Sequence, residues 1–94
     1  MIVTTTSSIP NEEIKSILSV VHNSVLLEVG LFNGISSDKL TKTTNDVIER
    51  LTKKALELNA DALIDLKIDY CYLSQPNIEL VVTAIGTAVL LKTE

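Results

Sequence analysis

A chain of 94 residues with Lys+Arg 8 against Asp+Glu 12 carries a net charge of -4 and lacks the clustered positive surface of proteins that bind nucleic acid or anionic membranes. As a single domain over residues 1–94 it would bury only roughly 60 to 65 % of its unfolded surface. Yet 46 % of its residues are hydrophobic and only 3 % aromatic, so Val, Leu, Ile and Ala supply more apolar surface than one thin core can hide. A single cysteine excludes an intrachain disulfide, and the first basic residue is Lys15, so a positively charged leader is not expected and the protein reads as cytoplasmic.

Taken in chain order, Met1 to Thr6 is rich in β-branched residues and is punctuated by Ser7, Ser8 and Pro10, which describes a short strand ended by a turn. Ile14 to Val21 and Val25 to Leu31 are apolar runs separated by His22-Asn23-Ser24, a polar tripeptide that suits a tight connection between two strands. The first run also fits a helical turn, because Ile14, Ile17, Leu18 and Val21 recur at helical spacing. Gly34 and Ser36-Ser37-Asp38 form a loop with candidate N-caps, and Leu40, Thr44, Val47, Leu51, Ala55 and Leu58 then trace a period near 3.6. These predict one long helix over about Asp38 to Leu58, with Asn59 as its left-handed cap. Five of the eight basic residues (Lys39, Lys42, Arg50, Lys53, Lys54) fall in this segment, interleaved with Asp38, Asp46, Glu49 and Glu57, as on a solvated helix face.

From Asp61 to Leu73 the pattern alternates, with Leu63, Asp65, Lys67, Asp69, Cys71 and Leu73 on one face and Ile64, Leu66, Ile68, Tyr70 and Tyr72 on the other. Ser74-Gln75-Pro76-Asn77 reads as a turn, so this strand and Ile78 to Lys92 are expected to form an antiparallel hairpin. The last strand is uncharged on both faces from Leu80 to Leu91, a run well short of the ~20 residues a membrane helix needs. It has to be buried in protein, and one helix covers only one side of a sheet. The missing cover is expected to be another copy of the chain.

Met1-Ile2-Val3-Thr4-Thr5-Thr6, Asn59-Ala60-Asp61-Ala62, Ile68-Asp69-Tyr70 and Thr83-Ala84-Ile85-Gly86-Thr87-Ala88-Val89 occur in this order, and with them the chain resembles the YbjQ-like family over essentially its whole length. The resemblance implies an α+β fold: a βαββ-type subunit with a mostly antiparallel sheet and one long helix, related to the dodecin subunit and ring-forming, as a homopentamer. The family carries a heavy-metal-binding label but brings no established catalytic residue to any position here. Glycines usual in the family are replaced by Ser19, Asn23, Asn59 and Asp65, and a Gly- and Arg-rich segment before the helix is shortened to roughly Asn33 to Thr44.

Three residues are candidate metal ligands: Cys71, Asp69 beside it on one strand face, and His22, the only imidazole. Soft-metal sites gather three or four Cys or His ligands, so a buried structural thiol and a surface histidine are the commoner explanation of Cys71 and His22. Asp65 and Asp69 with Glu28 and Glu79 are candidate paired carboxylates, although Lys67 between the aspartates favours an ion-pair cluster at a subunit contact. Thr4, Thr5 and Thr6 could line a small-molecule pocket or simply satisfy strand propensity, and Tyr70 and Tyr72 are expected in core or interface packing. No Ser/His/Asp ordering, P-loop or dinucleotide fingerprint is present, and three glycines leave little room for one. The expected function is therefore non-enzymatic: a cytoplasmic ring that binds a small ligand or metal ion between subunits. A purely structural or interaction module and an enzyme with a composite inter-subunit site are the alternatives. A gel-shift titration with single- and double-stranded oligonucleotides should show no complex at micromolar protein, and a salt-sensitive shift would overturn the exclusion of nucleic acid.

Overall fold

The structure, a computed structural model, describes residues 1–28, 37–73 and 79–92. Its elements are β1 (Ile2–Val3), β2 (Ile14–Glu28), α1 (Ser37–Glu57), β3 (Ala62–Leu73) and β4 (Glu79–Leu91). The sheet order is β1-β3-β4-β2, with β4 antiparallel to both neighbours and β1 parallel to β3. Apart from the two-residue β1, this is the expected βαββ subunit. The proposed turn at Ser74 to Asn77, and Gly34 and Ser36 of the proposed capping loop, lie outside the described residues.

The helix follows from its spacing. Thr43, Val47, Leu51 and Ala55 recur every four residues and form its buried stripe. Val47, Leu51 and Ala55 join one core cluster with the even-numbered face of β4 (Leu80, Val82, Ala84, Ala88), Val21 and Leu27 of β2, and Leu63 and Leu66 of β3. Asn59 ends the helix in the left-handed region at φ 61°, as its sequence position predicts. The amide of Asn59 donates to the Leu56 carbonyl and that of Ala60 to the Ala55 carbonyl, at 2.9 and 3.1 Å, the paired bonds of a Schellman cap.

The polar tripeptide His22-Asn23-Ser24 does not connect two strands, and Ile14 to Val21 is not helical. Both lie within one 15-residue strand. A tight hairpin needs residues at positive φ, and none of the three adopts it. β4 instead offers an unbroken partner row, His22↔Ile85, Asn23↔Ala84 and Ser24↔Thr83. The polarity of the tripeptide reflects the place of β2 at the sheet edge, where His22 and Ser24 are exposed, and Ser24 Oγ lies 2.8 Å from Thr83 Oγ1.

The alternation read across Asp61 to Leu73 also breaks. Asp65 and Leu66 together face the single Gly86, a bulge that moves the register between Ile64 and Lys67. Asp65 takes φ 53°, a region that Asp tolerates better than most side chains, and its amide donates to the Thr6 carbonyl at 3.0 Å. The bulge reverses the faces, so Leu63 joins Leu66 and Ile68 under the helix while Ile64 turns to the opposite side. Gly86 makes room for this crossing: a Cβ there would lie 2.9 Å from Leu63 Cδ1 and 3.2 Å from its Cγ.

The face away from the helix is only partly bare. Ile9-Pro10-Asn11-Glu12 closes a type II turn, with Asn11 at φ 65° and the Glu12 amide donating to the Ile9 carbonyl at 3.1 Å. The turn sets Ile9 on a small cluster of Ala62, Ile64, Val89, Ile14 and Leu91. Part of the cover expected from another copy therefore comes from the N-terminal segment of the chain itself. Lys92 Nζ, 3.2 Å from Glu13 Oε2, closes this end with an exposed ion pair.

Because Leu63 is fully buried, room for a methyl at Gly86 has to come from repacking around it, and Gly86→Ala should destabilise the fold by about 1–3 kcal/mol. The check is the urea midpoint at unchanged slope. A midpoint equal to wild type would show that Gly86 is not required for the crossing of Leu63.

Candidate functional site on the outer sheet face

The outer face carries the side chains that the helix does not cover. Strand register sets them in rows: Leu26, Val81 and Cys71; Ser24, Thr83 and Asp69; His22, Ile85 and Lys67; Val20, Thr87 and Ile64. The middle column, from β4, is apolar or hydroxylated throughout. Ile17, Val20 and Leu26 on β2 are 68 %, 59 % and 51 % exposed, and Ile85 at the centre of the face is 41 % exposed.

All three candidate metal ligands lie on this face, and the fold brings two of them together. Asp69 and Cys71 are successive outward residues of β3, both exposed. The thiol of Cys71 is thus not the buried one expected of a structural cysteine. Cys71 lies in the exposed distal part of the strand, Asp69 to Leu73. His22 stands across β4, two strand spacings or about 10 Å away, and its row is displaced from that of Cys71 by four residues, about 13 Å along the strand. Metal–ligand bonds of about 2 Å cannot span that separation. Among the described residues no three His, Cys, Asp or Glu side chains converge on a common point. Cys71, Asp69 and His22, as the described residues of one chain place them, therefore do not form a heavy-metal centre.

The candidate carboxylates are likewise dispersed. Glu28 and Glu79 are direct cross-strand partners, an unfavourable pairing of like charges. Asp65 and Asp69 lie four residues apart on β3 with Lys67 between them, in rows removed from Glu79. Thr4 and Thr6 bond within their own segment, where Thr4 Oγ1 lies 2.8 Å from Thr6 Oγ1 and Thr6 Oγ1 donates to the Ser8 carbonyl at 2.6 Å, and Thr5 is exposed. Tyr70 reaches the helix, its hydroxyl 3.0 Å from Thr44 Oγ1, whereas Tyr72 is 66 % exposed.

Sequence reasoning missed a depression of about 350 Å³ over the bulge, lined by Val20, Asp65, Lys67, Ile85, Gly86 and Thr87. Its signal was faint: an aspartate replacing a glycine in an otherwise alternating strand. A second depression of about 330 Å³ lies on the helix surface among Asp46, Glu49, Arg50 and Lys53, where both signs of charge meet on the solvated face.

Over 98 % of both chains this α+β subunit superposes, with a TM-score of 0.80 and 24 % identity, on the crystal structure of a protein of unknown function from Pediococcus pentosaceus that belongs to the DUF74 family. The YbjQ family model, described as "Putative heavy-metal-binding", matches residues 36–92, and the chain belongs to that family. A UPF0145 protein of Thermotoga maritima is 31 % identical over 98 % of both chains. One of Listeria ivanovii is 29 % identical over 100 % of this chain and 98 % of its own length. The Listeria alignment runs over 108 residues against the 94 of this chain, so that relative carries residues within the matched span that have no counterpart here. The names of these relatives state no activity.

Since β4 separates His22 from the Cys71–Asp69 pair, calorimetric titration with zinc should show no tight site that depends on Cys71 within a single chain. Stoichiometric uptake by a variant held monomeric, abolished by Cys71→Ser, would overturn that conclusion.

Proposed function

We propose that the chain is a non-enzymatic cytoplasmic protein that assembles into a ring of identical subunits, five by the family resemblance, and holds a small ligand or metal ion between them. The observation that carries this reading is the apolar outer face of the sheet. Val20, Leu26 and Ile85 stand exposed there around a strand with no charge between Leu80 and Leu91. Covering an exposed Val, Leu or Ile side chain contributes up to about 1.5–3 kcal/mol, a large share of the 5–15 kcal/mol that holds a small domain together.

The dimensions of the subunit support the same reading. Its accessible surface is 6450 Å², against about 5,300 Å² for a folded monomer of its mass. The excess is comparable to the roughly 800 Å² that each partner buries in a standard interface. Its radius of gyration is 15.7 Å, where a compact domain of this length has about 12 Å. Both follow from β2, whose 15 residues span about 50 Å while the 21-residue helix spans about 31 Å.

The depression over the bulge is open, and this favours a second reading, in which the ring presents a surface to another protein and binds nothing small. Native mass measurement on protein purified from its host separates the two, because a stoichiometric extra mass supports the ligand and its absence supports the scaffold. For assembly itself, Val82 lies under the helix and Ile85 points away from it, so a charge at each has a different consequence. Val82→Glu should unfold the subunit, whereas Ile85→Glu should leave a folded, dissociated chain by circular dichroism and light scattering. A wild-type protein that runs as a stable monomer at micromolar concentration and neutral pH would sink this reading.

A further inference from the structure

We propose that the open edge of β2 pairs with the open edge of β3 in a second copy of the chain, so that adjacent subunits share a continuous sheet. This rests on the self-assembly proposed above and specifies the surface through which it runs. β2 is the outermost strand on its side, paired by β4 along its whole length and, among the described residues, by no strand beyond it. Natural edge strands are blunted by charge, proline or bulges. The first half of β2 obeys this rule, with register shifts between Ile14 and Ser16 and between Ile17 and Ser19. The second half does not: Ser19 to Leu27 holds no Lys, Arg, Asp, Glu or Pro and keeps a regular register. Lys54 Nζ donates to the His22 carbonyl at 2.7 Å, which leaves Asn23 to Leu27 as the regular run beyond that contact.

The opposite side of the sheet is open at the same height. β1 pairs with Ala62 and Leu63, and the bonds from Leu66 to Thr4 and from Asp65 to Thr6 extend that cover only to the bulge. From Lys67 to Leu73, among the described residues, no strand lies against β3 on the side away from β4. The rows of Ser24, Leu26 and Glu28 on β2 are those of Asp69, Cys71 and Leu73 on β3. Both strands run antiparallel to β4 and so share a direction, and β1 already lies parallel on the β3 edge. The β2 of a second copy continues that edge in the same sense where β1 stops. Pairing β2 with β2 about a two-fold axis would satisfy one edge and leave the other open, whereas pairing β2 with β3 satisfies both and closes only as a ring.

The native thiol of Cys71 provides the test. Within one chain Ser24, Leu26 and Glu28 are separated from Cys71 by β4, at least about 10 Å away. That exceeds the roughly 4.4–6.8 Å between Cα atoms of a disulfide. Between paired edges they become neighbours. Ser24→Cys, Leu26→Cys and Glu28→Cys, all at exposed positions, are oxidised with diamide and run on non-reducing gels, with and without Cys71→Ser. At least one should give a ladder of covalent multimers that disappears with Cys71→Ser. Light scattering of the wild type keeps the two levels apart, because a monomer overturns assembly altogether. An oligomer in which no variant cross-links through Cys71, or gives only a dimer that survives Cys71→Ser, overturns edge pairing and leaves assembly through the sheet face standing.

Discussion

Every layer of this subunit depends on β4, a strand uncharged on both faces from Leu80 to Leu91 and hydrogen-bonded on both sides. Its even residues form the floor under the helix and its odd residues the spine of the outer face. A strand apolar on both sides belongs in the middle of a layered structure, as in sheets covered by helices on both faces. Here one layer is supplied by α1, and a fraction of the other by Ile9 and its neighbours. The remainder is the physical reason to expect a second copy.

Gly86 and Asp65 let so small a subunit use both faces of β3. Before the bulge, β3 gives Leu63 to the helix and Ala62 and Ile64 to the small outer cluster; after it, Leu66 and Ile68 take the helix side. A strict period of two would have put Leu63 and Leu66 on opposite faces, with Ile64 in place of Leu63 beside Leu66 and Ile68. The strained backbone of Asp65 is the cost of this exchange, offset by the burial of both leucines, which are 0 % and 8 % exposed.

Much of this was legible in the residues. Val47, Leu51 and Ala55 of the helix stripe, its Asn59 cap, the β3–β4 pairing and the two apolar faces of β4 follow from periodicity and local chemistry, whereas Thr43 is buried in place of the expected Thr44, and Leu58, expected on the stripe, is 43 % exposed. What was misread depends on partners distant in sequence. His22-Asn23-Ser24 is polar enough for a turn, and only the unbroken row of β4 opposite it makes it a strand. The bulge hides in a pattern of alternation, because a period of two looks the same whether or not it slips by one residue at an aspartate. Asp69 and Cys71 were read onto one strand face, but His22 was read as part of a turn, and its separation from them could not be read because it is set by the strand that comes between.

That intervening strand also bears on the heavy-metal description of the family. Asp69 and Cys71, two residues apart on one strand face, are spaced as a strand chelate, and such a pair needs a further donor from an adjacent strand. On one side the adjacent strand is β4, which offers Val81, Thr83 and Ile85 beside them. Those residues cannot become soft donors without giving up the apolar strand on which the fold is built. Any third ligand for this pair must therefore come from the other side of β3, the edge where, among the described residues, the chain places no strand beyond the bulge. The requirement that stabilises the subunit thus keeps β4 from supplying that donor among the described residues of one chain, and in the assembly proposed above the donor would enter at the boundary between copies.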